Sequence, residues 1–512
     1  MRARYSVLVV VVGIAVLMLT FRLPTSSARG TSDLSTANAW GHTIVVKPNG
    51  SDDTADLQAA FNACVSYGPG CTVQLVKGTY YTAQITVYGF EGTFVGAGQG
   101  RTIVQALPNL PQPAAAYNTP TSPFWAGLPG PANPWPDLFT FVNGVFGISG
   151  MTITEPYANP IVAPGWQYPA EYGDTTYTAL WAVILVTGEQ ANAAISQVTV
   201  NGAGGEIAIP VGTPSTFNLD SSIMYYGMLL PSGWTDPLAD QIPLSGSFSL
   251  TDSVIYWGES AFWFENLLSA SVMVCYNSIN SSPSPGVVDV SNSQLTFCGN
   301  SITNVAAAAG VSGAQSLYKS NLLPSTVYVT DNYFTANWGG SGPVFFDFGP
   351  LFWGIPSTLS AVVTGNTVVT DTSCGCYLDD YPAIGFGELA SFVASGNLIL
   401  GGGVGVGGSG GPASISGNTI LGAIEGVGLG CPGGVGCILY PEVAATDEHV
   451  SGNVIVNSGQ YGIAVQDGSS DNVVAHNFVT GSGVDDLYWD GTGTGNVWFG
   501  NVCKTSSPPG LC

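Results

Sequence analysis

The sequence predicts an all-β solenoid in which each coil adds one short strand to each of three parallel sheets. The first observation is a set of asparagines that recur at intervals of 21 to 35 residues: Asn277, Asn300, Asn332, Asn366, Asn397, Asn418, Asn453, Asn477 and Asn501. The second is their shared context. A hydrophobic or small residue stands three positions before each asparagine and another two positions after it, and glycine directly precedes six of the nine. A fixed corner with variable loops is typical of a solenoid.

One complete coil lies between Asn453 and Asn477. Short apolar runs at 454–456, 461–465 and 472–475 are separated by two turns, which predicts three strands. Stacked asparagine side chains would hydrogen-bond to the coils above and below and would pair the backbone of the corner. A left-handed hexapeptide solenoid needs coils of about 18 residues, which the sequence does not contain. We expect about twelve coils or more.

Residues 41–106 are expected to form an N-terminal cap and the first coils. The run Thr43–Val46 predicts a strand, and Asp52 and Asp53 predict the start of a helix. The apolar positions of that helix share one face: Leu57, Ala60, Phe61 and Cys64. The glycine-rich run Gly96–Gly100 is not followed by Lys-Ser/Thr or by a helix, so it predicts a turn rather than a nucleotide loop.

The middle of the chain combines a proline-rich segment with irregular coils. Residues 107–136 contain nine prolines and little periodicity, which predicts an insertion. The same corner register continues upstream of the first asparagine, with other residues in its place: Met151, Val198 and Ser253. The long intervals between them predict excursions at about 155–179 and 202–245. The β-helix is therefore expected to span 137–503 and to end in a disulfide-closed tail at 504–512.

Several segments resemble right-handed parallel β-helix proteins of the pectate-lyase-like superfamily. Residues Asp52–Ala60 look like the N-terminal capping helix of these proteins, and Gly78–Tyr81 resembles the turn of their first coil. The segment Asn496–Cys512 is similar to the end of uncharacterised secreted β-helix repeat proteins. The resemblance covers about residues 41–512 and implies a right-handed, single-stranded parallel β-helix with an N-terminal capping helix. It implies no single function, since the superfamily contains lyases, hydrolases, epimerases and binding proteins.

Residues 1–28 predict a secretion signal. Arg2 and Arg4 precede an apolar run that ends near Phe21, and Ser26-Ser27-Ala28 fits a cleavage site. An uncleaved membrane anchor is the alternative, which the early end of the run disfavours. Residues 29–40 would then be a linker. We expect a secreted, extracellular monomer with no membrane attachment after cleavage.

Basic residues are scarce in this chain. There are 9 Lys and Arg against 33 Asp and Glu, which gives a formal net charge of −24. Such a surface repels polyanions, so nucleic acid is a poor partner. The favoured partner is an uncharged polysaccharide or cell-surface glycan.

Ten cysteines in a secreted chain predict disulfides. Cys275 and Cys298 each stand two residues before a corner asparagine in successive coils, where strands about 4.8 Å apart bring Cα atoms within disulfide range. Three other pairs are close in sequence: Cys64–Cys71, Cys431–Cys437 and Cys503–Cys512. The partners of Cys374 and Cys376 stay open, either each other or the Cys431–Cys437 loop. The spacings do not fit a zinc site.

Alignment of the first-sheet strands across coils places a column of acids on their outward side. The candidate catalytic residues are Glu265, Asp289, Asp347, Asp379 and Asp380. Glu265 and Asp289 on adjacent coils would be about 5 Å apart, as in a retaining glycosidase, whereas Asp289 and Asp347 would have the wider spacing of an inverting pair. Nearby aromatic residues are candidates for stacking on sugar rings: Trp257, Trp263, Trp338, Trp353 and Tyr377. Solvated surface acids are the alternative interpretation.

Two enzyme classes fit the sequence poorly. Pectate lyases use a basic residue to abstract a proton, and only Lys319 lies in the central coils. Polygalacturonases carry Gly-His-Gly and Arg-Ile-Lys motifs, which this sequence lacks. We therefore expect a protein that binds a neutral extracellular polysaccharide and that, if it is an enzyme, hydrolyses it as a glycoside hydrolase rather than cleaving it as a lyase. The alternative is a non-catalytic structural or adhesive β-helix protein.

No cofactor is expected. The turn Asp467–Asp471 and Asp490, one coil later, are candidate oxygen ligands for Ca²⁺, although turn capping is the preferred interpretation. His449 and His476 stand at a strand start and beside a corner asparagine, so both are expected to be structural.

Overall fold

A computed structural model describes the following residues: 41–107, 138–154, 183–201, 207–210, 215–225, 229–232, 244–256, 262–280, 286–305, 311–314, 324–336, 344–346, 358–370, 382–387, 389–430 and 444–512. The predicted signal peptide, the linker at 29–40 and the proposed excursion at 155–179 lie outside these ranges. So does nearly all of the proline-rich segment. Within the described residues, no helix is long and apolar enough to cross a membrane.

The chain winds into a right-handed parallel β-helix with three sheets, which confirms the predicted fold. The strands that contribute to the first sheet are β4 (Ile85–Val95), β6 (Phe139–Thr154), β7 (Ile184–Asn201), β8 (Ile207–Pro210), β11 (Leu229–Ser232), β14 (Phe262–Cys275), β16 (Gly286–Ser291), β19 (Val311–Ala314), β22 (Val344–Phe346), β25 (Pro382–Gly387), β28 (Val404–Ser409), β31 (Glu425–Leu429), β34 (Tyr461–Val465), β37 (Asp485–Trp489) and β39 (Ser506–Ser507).

The second sheet follows the first along each coil. Its strands are β1 (Thr43–Val46), β2 (Cys71–Leu75), β9 (Ser215–Asp220), β12 (Leu244–Thr251), β17 (Gln294–Cys298), β20 (Ser325–Thr330), β23 (Leu359–Thr364), β26 (Ser391–Ser395), β29 (Ala413–Ser416), β32 (His449–Ser451), β35 (Val473–Ala475) and β38 (Val497–Phe499). The long strands β4, β6, β7 and β14 bend from the first sheet into this one.

The third sheet completes each coil. Its strands are β3 (Gly78–Thr82), β5 (Thr102–Ala106), β10 (Ile223–Tyr225), β13 (Val254–Tyr256), β15 (Ser278–Asn280), β18 (Ser301–Val305), β21 (Tyr333–Ala336), β24 (Thr367–Thr370), β27 (Leu398–Leu400), β30 (Thr419–Leu421), β33 (Val454–Val456) and β36 (Phe478–Thr480). Strands β6 and β7 also end here, beside β5 and β10.

The core consists of columns of identical or similar side chains. In the third sheet one register column is almost wholly apolar and buried: Ile279, Ile302, Phe334, Val368, Ile399, Ile420, Ile455 and Val479. These are the residues two positions after the asparagines. Burial of each such side chain contributes about 1.5–3 kcal/mol, so stacked columns hold successive coils together.

The asparagines form a continuous ladder in the turn between the second and third sheets. The backbone N–H of Asn366 and its Nδ2 both donate to Oδ1 of Asn397, at 2.9 and 3.0 Å. The same Nδ2 donates to the carbonyl of Val329 at 2.8 Å. This pattern recurs from Asn277 to Asn501. The buried polar groups of each corner are therefore paired by the next coil.

A residue with a left-handed backbone conformation directly precedes every asparagine of the ladder. Six of these residues are glycines, such as Gly396 with φ +62°. Tyr276, Asp331 and His476 adopt the same conformation, with φ of 62°, 56° and 56°. Because a Cβ atom makes this region costly for most residues, the corner geometry explains the glycine that the sequence repeats before asparagine.

Serines continue the ladder upstream of Asn277. The N–H of Ser253 donates to Oδ1 of Asn277 at 3.0 Å, and the N–H of Ser222 donates to Oγ of Ser253 at 3.1 Å. The corner at Ser222 belongs to a coil built from β8, β9 and β10, which pair in register with β7. Strands thus occupy much of the range 202–245, where the sequence predicts one excursion. A serine corner without preceding glycine concealed this coil.

The helix α1 (Thr54–Tyr67) packs across the N-terminal end. Its buried residues are those the sequence predicts: Leu57, Ala60, Phe61 and Cys64. Asp53 does not cap the helix with its side chain, contrary to expectation. Its carboxylate accepts instead from the N–H groups of Asn49 and Tyr81, at 2.8 and 3.0 Å, and so links the helix start to β3. The carboxylate of Asp52 accepts a hydrogen bond from the N–H of Thr54, the first residue of the helix, at 2.9 Å.

Three predicted disulfides are present in the described residues. They are Cys64–Cys71, Cys275–Cys298 and Cys503–Cys512. Cys275 and Cys298 are paired residues of adjacent second-sheet strands, with Cα atoms 4.6 Å apart. This bond therefore joins two coils across the sheet. Cys374, Cys376, Cys431 and Cys437 lie outside the described residues.

Candidate functional site

The predicted acidic column begins on described strands. Glu265 lies in β14 and Asp289 in β16, which pair directly. The register shifts by one residue between Phe264 and Leu267. Two residues of β14, Glu265 and the residue after it, therefore lie opposite one residue of β16, Asp289. Trp263 is the register partner of Val287 in the same pair. Asp347, Asp379, Asp380, Trp257, Trp338, Trp353 and Tyr377 lie outside the described residues, so their roles stay predictions.

The last coils of the first sheet carry a second group of polar residues, which the sequence analysis did not identify. Register pairs on successive strands give a row that we call the carboxyl–tyrosine row: Pro382, Val404, Glu425, Tyr461 and Asp485. Neighbouring strands are about 4.8 Å apart, so the backbones at Glu425 and Asp485, two strands apart, are separated by roughly 10 Å across the sheet. Tyr461 stands between them.

Glycines next to this row show which positions face the core. A Cβ atom on Gly426 would meet the side chain of core residue Ile455, and one on Gly462 would meet core residue Val479. Those two positions therefore face the interior. Val427 and Ile463, the next residues of the two strands, also belong to the core, so the alternation is interrupted here and Gly428 and Ala464 are the residues that face outward.

A floor of small residues runs beside the carboxyl–tyrosine row. Its members are successive register partners: Gly385, Gly407, Gly428 and Ala464. A Cβ atom on Gly407 would meet Val404 and Pro382, so this floor and the row share the outer face. Tyr488 follows Ala464 in register and closes the floor at its C-terminal end. Gln466, which directly follows β34, stands on the opposite side of the floor from Tyr461.

Glu425 is the most unusual residue of this face. It is 4% exposed, and burial raises the pKa of its carboxyl to about 7, an effect that the nearby side-chain amide of Gln466 partly opposes. A carboxyl with this pKa exchanges its proton near neutral pH, which is the property of a general acid.

Two tyrosines form an aromatic pair beside Glu425. The rings of Tyr461 and Tyr488 are stacked, with centroids 4.2 Å apart and an interplanar angle of 13°. Burial raises the pKa of Tyr461, and the neighbouring Tyr488, Glu425 and Asp485 raise it further. Tyr461 therefore stays a neutral phenol with a hydrogen-bonding hydroxyl. The pair offers an apolar surface at the end of the floor.

Around the turn that contains Asp467, the Asp490 carboxylate caps backbone N–H groups. Asp490 accepts from the N–H of Asp467 at 2.8 Å with Oδ2, and from the N–H and hydroxyl of Thr492 with Oδ1. These three hydrogen bonds engage both carboxylate oxygens. No group of three or more metal-ligating side chains occurs in the part of the chain that the structure describes.

Glu448 is a second buried acid. Core residues occupy its register column in earlier coils: Leu295, Val327, Ala361, Phe392 and Ala413. Glu448 is fully buried, and neither of its carboxylate oxygens has a hydrogen-bond partner among the described residues. Burial raises the pKa of this carboxyl well above its usual value.

A second, shorter ladder starts at Glu448. The N–H of Glu448 donates to Oδ1 of Asn472 at 3.0 Å, and Nδ2 of Asn472 donates to Oδ1 of Asn496 at 3.0 Å. Left-handed residues again precede the members, at Asp447, Asp471 and Gly495. The equal intervals of 24 residues were a signal in the sequence for this ladder.

The histidines have structural surroundings in the described residues. His476 precedes ladder residue Asn477, and its ring meets Phe499 edge-on with centroids 5.1 Å apart. His449 begins β32. His42 stacks on Tyr67 of α1, with centroids 4.0 Å apart.

Comparisons with known proteins found similar solved structures at low sequence identity. No protein-family model and no curated protein matches the sequence. The fold is similar to the catalytic unit of a GH87 α-1,3-glucanase from Streptomyces thermodiastaticus, with 12% identity, a TM-score of 0.38, and coverage of 93% of this chain and 71% of that one.

Two further solved structures show similarity of the same degree. The surface adhesin PfbA of Streptococcus pneumoniae has 12% identity and a TM-score of 0.40, with 86% of this chain and 92% of that one covered. A polygalacturonase from Erwinia carotovora has 12% identity and a TM-score of 0.35, with 83% and 94% covered. Likeness at this level concerns the fold and gives no information on activity.

The sequence contained a usable signal for the carboxyl–tyrosine row. Val404, Glu425, Tyr461 and Asp485 each stand two residues before a buried core residue of the same strand: Val406, Val427, Ile463 and Leu487. Extending the first-sheet alignment two residues upstream would have found them. The burial of Glu425 could not be read in this way, because it depends on packing around the outer face.

Proposed function

We propose that this protein is secreted and binds a neutral extracellular polysaccharide along the outer face of the first sheet, where carboxylates hydrolyse it. The observation that supports this proposal is the register of β14 and β16, which sets Glu265 and Asp289 on adjacent strands. Parallel strands repeat at about 4.8 Å, and a retaining glycosidase needs carboxyls about 5–5.5 Å apart. In this proposal one acid is the nucleophile and the other the general acid/base.

The charge of the chain supports an uncharged substrate. With 9 basic residues against 33 acidic ones, the surface would repel a polyuronate. The row around Glu425 and Asp485 adds further acids to the same face. A neutral glycan avoids this repulsion and can accept hydrogen bonds from, and donate them to, carboxyl groups.

A glycan hydrolysis screen tests the proposal. Purified protein is incubated with neutral polysaccharides from about pH 3 to 7, where carboxylate pairs titrate. We expect activity in the wild type and a loss of at least about 100-fold in Glu265→Gln and Asp289→Asn, as removal of a catalytic acid or nucleophile implies. Asp347→Asn tests the wider pair, and Glu91→Gln, an exposed acid of β4, is the matched control. Equal activity in all four variants would exclude the acidic column.

A second candidate function is structural or adhesive. The buried ladder and the disulfide across the second sheet favour it, because both add stability without serving chemistry. The same screen separates the two candidates. Glycan binding without release of reducing ends at any pH would support the adhesive function.

A further inference from the structure

An open groove of about 470 Å³ lies at the corner where the chain passes from the first sheet to the second. It crosses the strands β12, β14, β17 and β20, which are neighbours in the second sheet. Most of its lining residues carry a side-chain hydroxyl or amide: Ser269, Ser271, Asn292, Ser293, Gln294 and Thr326. The volume falls in the range of ligand sites, about 300–1,000 Å³, so the groove can admit part of an organic ligand.

The outward side chains of the second sheet continue this chemistry beyond the groove. Ser271, Gln294 and Thr326 are successive register partners, and they face outward because alternate residues of their strands are buried. The same register column holds uncharged hydrogen-bonding residues in the coils on both sides: Asn192, Thr216, Ser247, Ser360 and Ser391. Neighbouring members are about 4.8 Å apart, so a polymer would meet a hydroxyl or amide on every coil.

Buried serines hold the backbone of the groove from its inner side. The N–H of Ala270 donates to Oγ of Ser293 at 2.9 Å, and the N–H of Ser293 donates to Oγ of Ser325 at 3.2 Å. On the outer side, Nδ2 of Asn292 donates to Oγ of Ser269 at 2.6 Å, and both residues adopt left-handed φ, 49° and 59°. The shape of the groove is therefore set before a ligand binds, which lowers the entropy cost of binding.

The lining of the groove selects an uncharged ligand. None of the lining residues is charged, although the chain carries 33 acidic and 9 basic residues. An anion would find no cationic partner here, and a metal ion would find no carboxylate. Hydroxyls and amides both donate and accept hydrogen bonds, as the hydroxyls of a sugar do. Tyr328, two residues after Thr326 on the same outward face of β20, adds an aromatic ring that suits the C–H face of a sugar.

The groove lies on the same coils as the acidic pair. Glu265 precedes Ser269 by four residues in β14, and Asp289 of β16 precedes Asn292 by three. A strand rises about 3.3 Å per residue, so the backbone of the groove lies within about 13 Å of the backbone at these acids. A polysaccharide bound at the acids can therefore extend into the groove.

We propose that the groove around Ser271, Asn292 and Gln294 is a subsite for an uncharged, hydroxyl-rich polysaccharide, at the corner between the first and second sheets. This inference rests on the proposed glycan function, and it places sugar units of that ligand outside the first sheet. The three side chains hydrogen-bond sugar hydroxyls, and Tyr328 packs against a ring. The subsite binds the part of the chain that extends from Glu265 and Asp289.

A tryptophan in the groove tests the subsite. Calorimetry measures binding of laminarihexaose, cellohexaose and maltohexaose to the full-length protein. We expect Ser271→Trp to fill the groove and to weaken binding of the preferred hexasaccharide at least about tenfold. Ser278→Trp is the matched control, because Ser278 is an exposed serine of the same coil on the third sheet, and its binding should equal that of the wild type. Both serines are exposed, so both variants should fold, which thermal unfolding checks.

A second variant removes hydrogen bonds without adding bulk. Asn292→Ala/Gln294→Ala deletes two amides of the groove, and each lost hydrogen bond costs about 0.5–1.5 kcal/mol, so we expect binding about tenfold weaker. Gln460→Ala, at an exposed glutamine in a later coil, is the control and should bind as the wild type does.

The outcomes separate the two proposals. If the wild type binds none of the hexasaccharides, both the glycan function and the subsite are wrong. If the wild type binds and both groove variants bind equally well, the subsite alone is wrong. If the groove variants lose binding, the controls keep it and the wild type hydrolyses nothing, the subsite is supported and the catalytic role of Glu265 and Asp289 is wrong.

Discussion

At the level of single residues, each corner between the second and third sheets uses two adjacent positions with different chemistry. The first adopts left-handed φ, as in Gly396, and the second is an amide that pairs with both neighbouring coils, as in Asn397. Asparagine suits the second position because its side chain carries one acceptor and two donor hydrogens in a short, planar group. Serine at positions 222 and 253 supplies only the acceptor to the preceding coil.

Removal of one ladder amide should be strongly destabilising. Asn366→Ala removes the acceptor of the N–H and of one Nδ2 hydrogen of Asn332, and it removes the donor to the carbonyl of Val329. Oδ1 of Asn397 keeps only the backbone N–H of residue 366 as donor. Each unpaired buried group costs about 1–3 kcal/mol, so we expect a loss on the order of 4 kcal/mol. Chemical denaturation measures it. Asn62→Ala on the exposed surface of α1 is the matched control, and equal effects of both substitutions would contradict the role of the ladder.

The buried acids should make stability depend on pH. The pKa of Glu425 is raised from 4.5 to about 7 by burial, and that of Glu448 is raised well above 4.5. Below pH 4.5 both acids are protonated in the folded and unfolded chains, and stability is full. As pH rises toward 7, the unfolded chain releases protons that the folded chain keeps, so stability falls, by about 3 kcal/mol for Glu425.

Thermal unfolding of the wild type, Glu425→Gln and Glu448→Gln between pH 4 and 8 measures this effect. The midpoint should fall with pH in the wild type and less steeply in each variant. Glu91→Gln should follow the wild type, because its side chain is exposed. A wild-type midpoint that rises from pH 4 to 7, or variants with the same slope, would show that the two acids are paired in the folded protein.

At the level of elements, the strand length of the second sheet changes along the molecule. Strands β20 and β23 have six residues each, whereas β32, β35 and β38 have three. The second ladder begins where the strands shorten, at Glu448. Asparagine corners thus add side-chain hydrogen bonds where the paired strands are shorter, and the two ladders flank these strands on both sides.

The disulfide between adjacent second-sheet strands should stabilise their two coils. Cys275 and Cys298 are separated by 23 residues, and a closed loop of that length lowers the entropy of the unfolded chain by an amount worth about 3 kcal/mol. We expect the double variant Cys275→Ser/Cys298→Ser to lose stability of that order in chemical denaturation. Cys503→Ser/Cys512→Ser, which opens a shorter loop at the terminus, is the control and should lose less.

At the level of the whole molecule, the fold was more predictable than the site. The repeat at Asn453 and Asn477 depends on local spacing, which a sequence displays directly. The coil at Ser222 was missed because serine is common in turns and carries no distinct signal. Glu425 and Gln466 lie near each other only because of the register between their two strands, and the raised pKa of Glu425 depends on its burial. A single segment of sequence reveals neither the register nor the burial. The acids Glu265 and Asp289 were placed on adjacent strands because the ladder supplied the register.

The ladder also gives the solenoid an electrical direction. Each Oδ1 accepts from the preceding coil, so the side-chain carbonyls all point toward the N-terminal coils. Aligned amide dipoles add, as they do in a helix, and leave a partial positive pole at Asn501. There, Nδ2 of Asn501 donates to the carbonyl of Leu511 at 3.5 Å. The disulfide-closed tail therefore places a negative dipole end against the pole that the last coil would otherwise present to solvent.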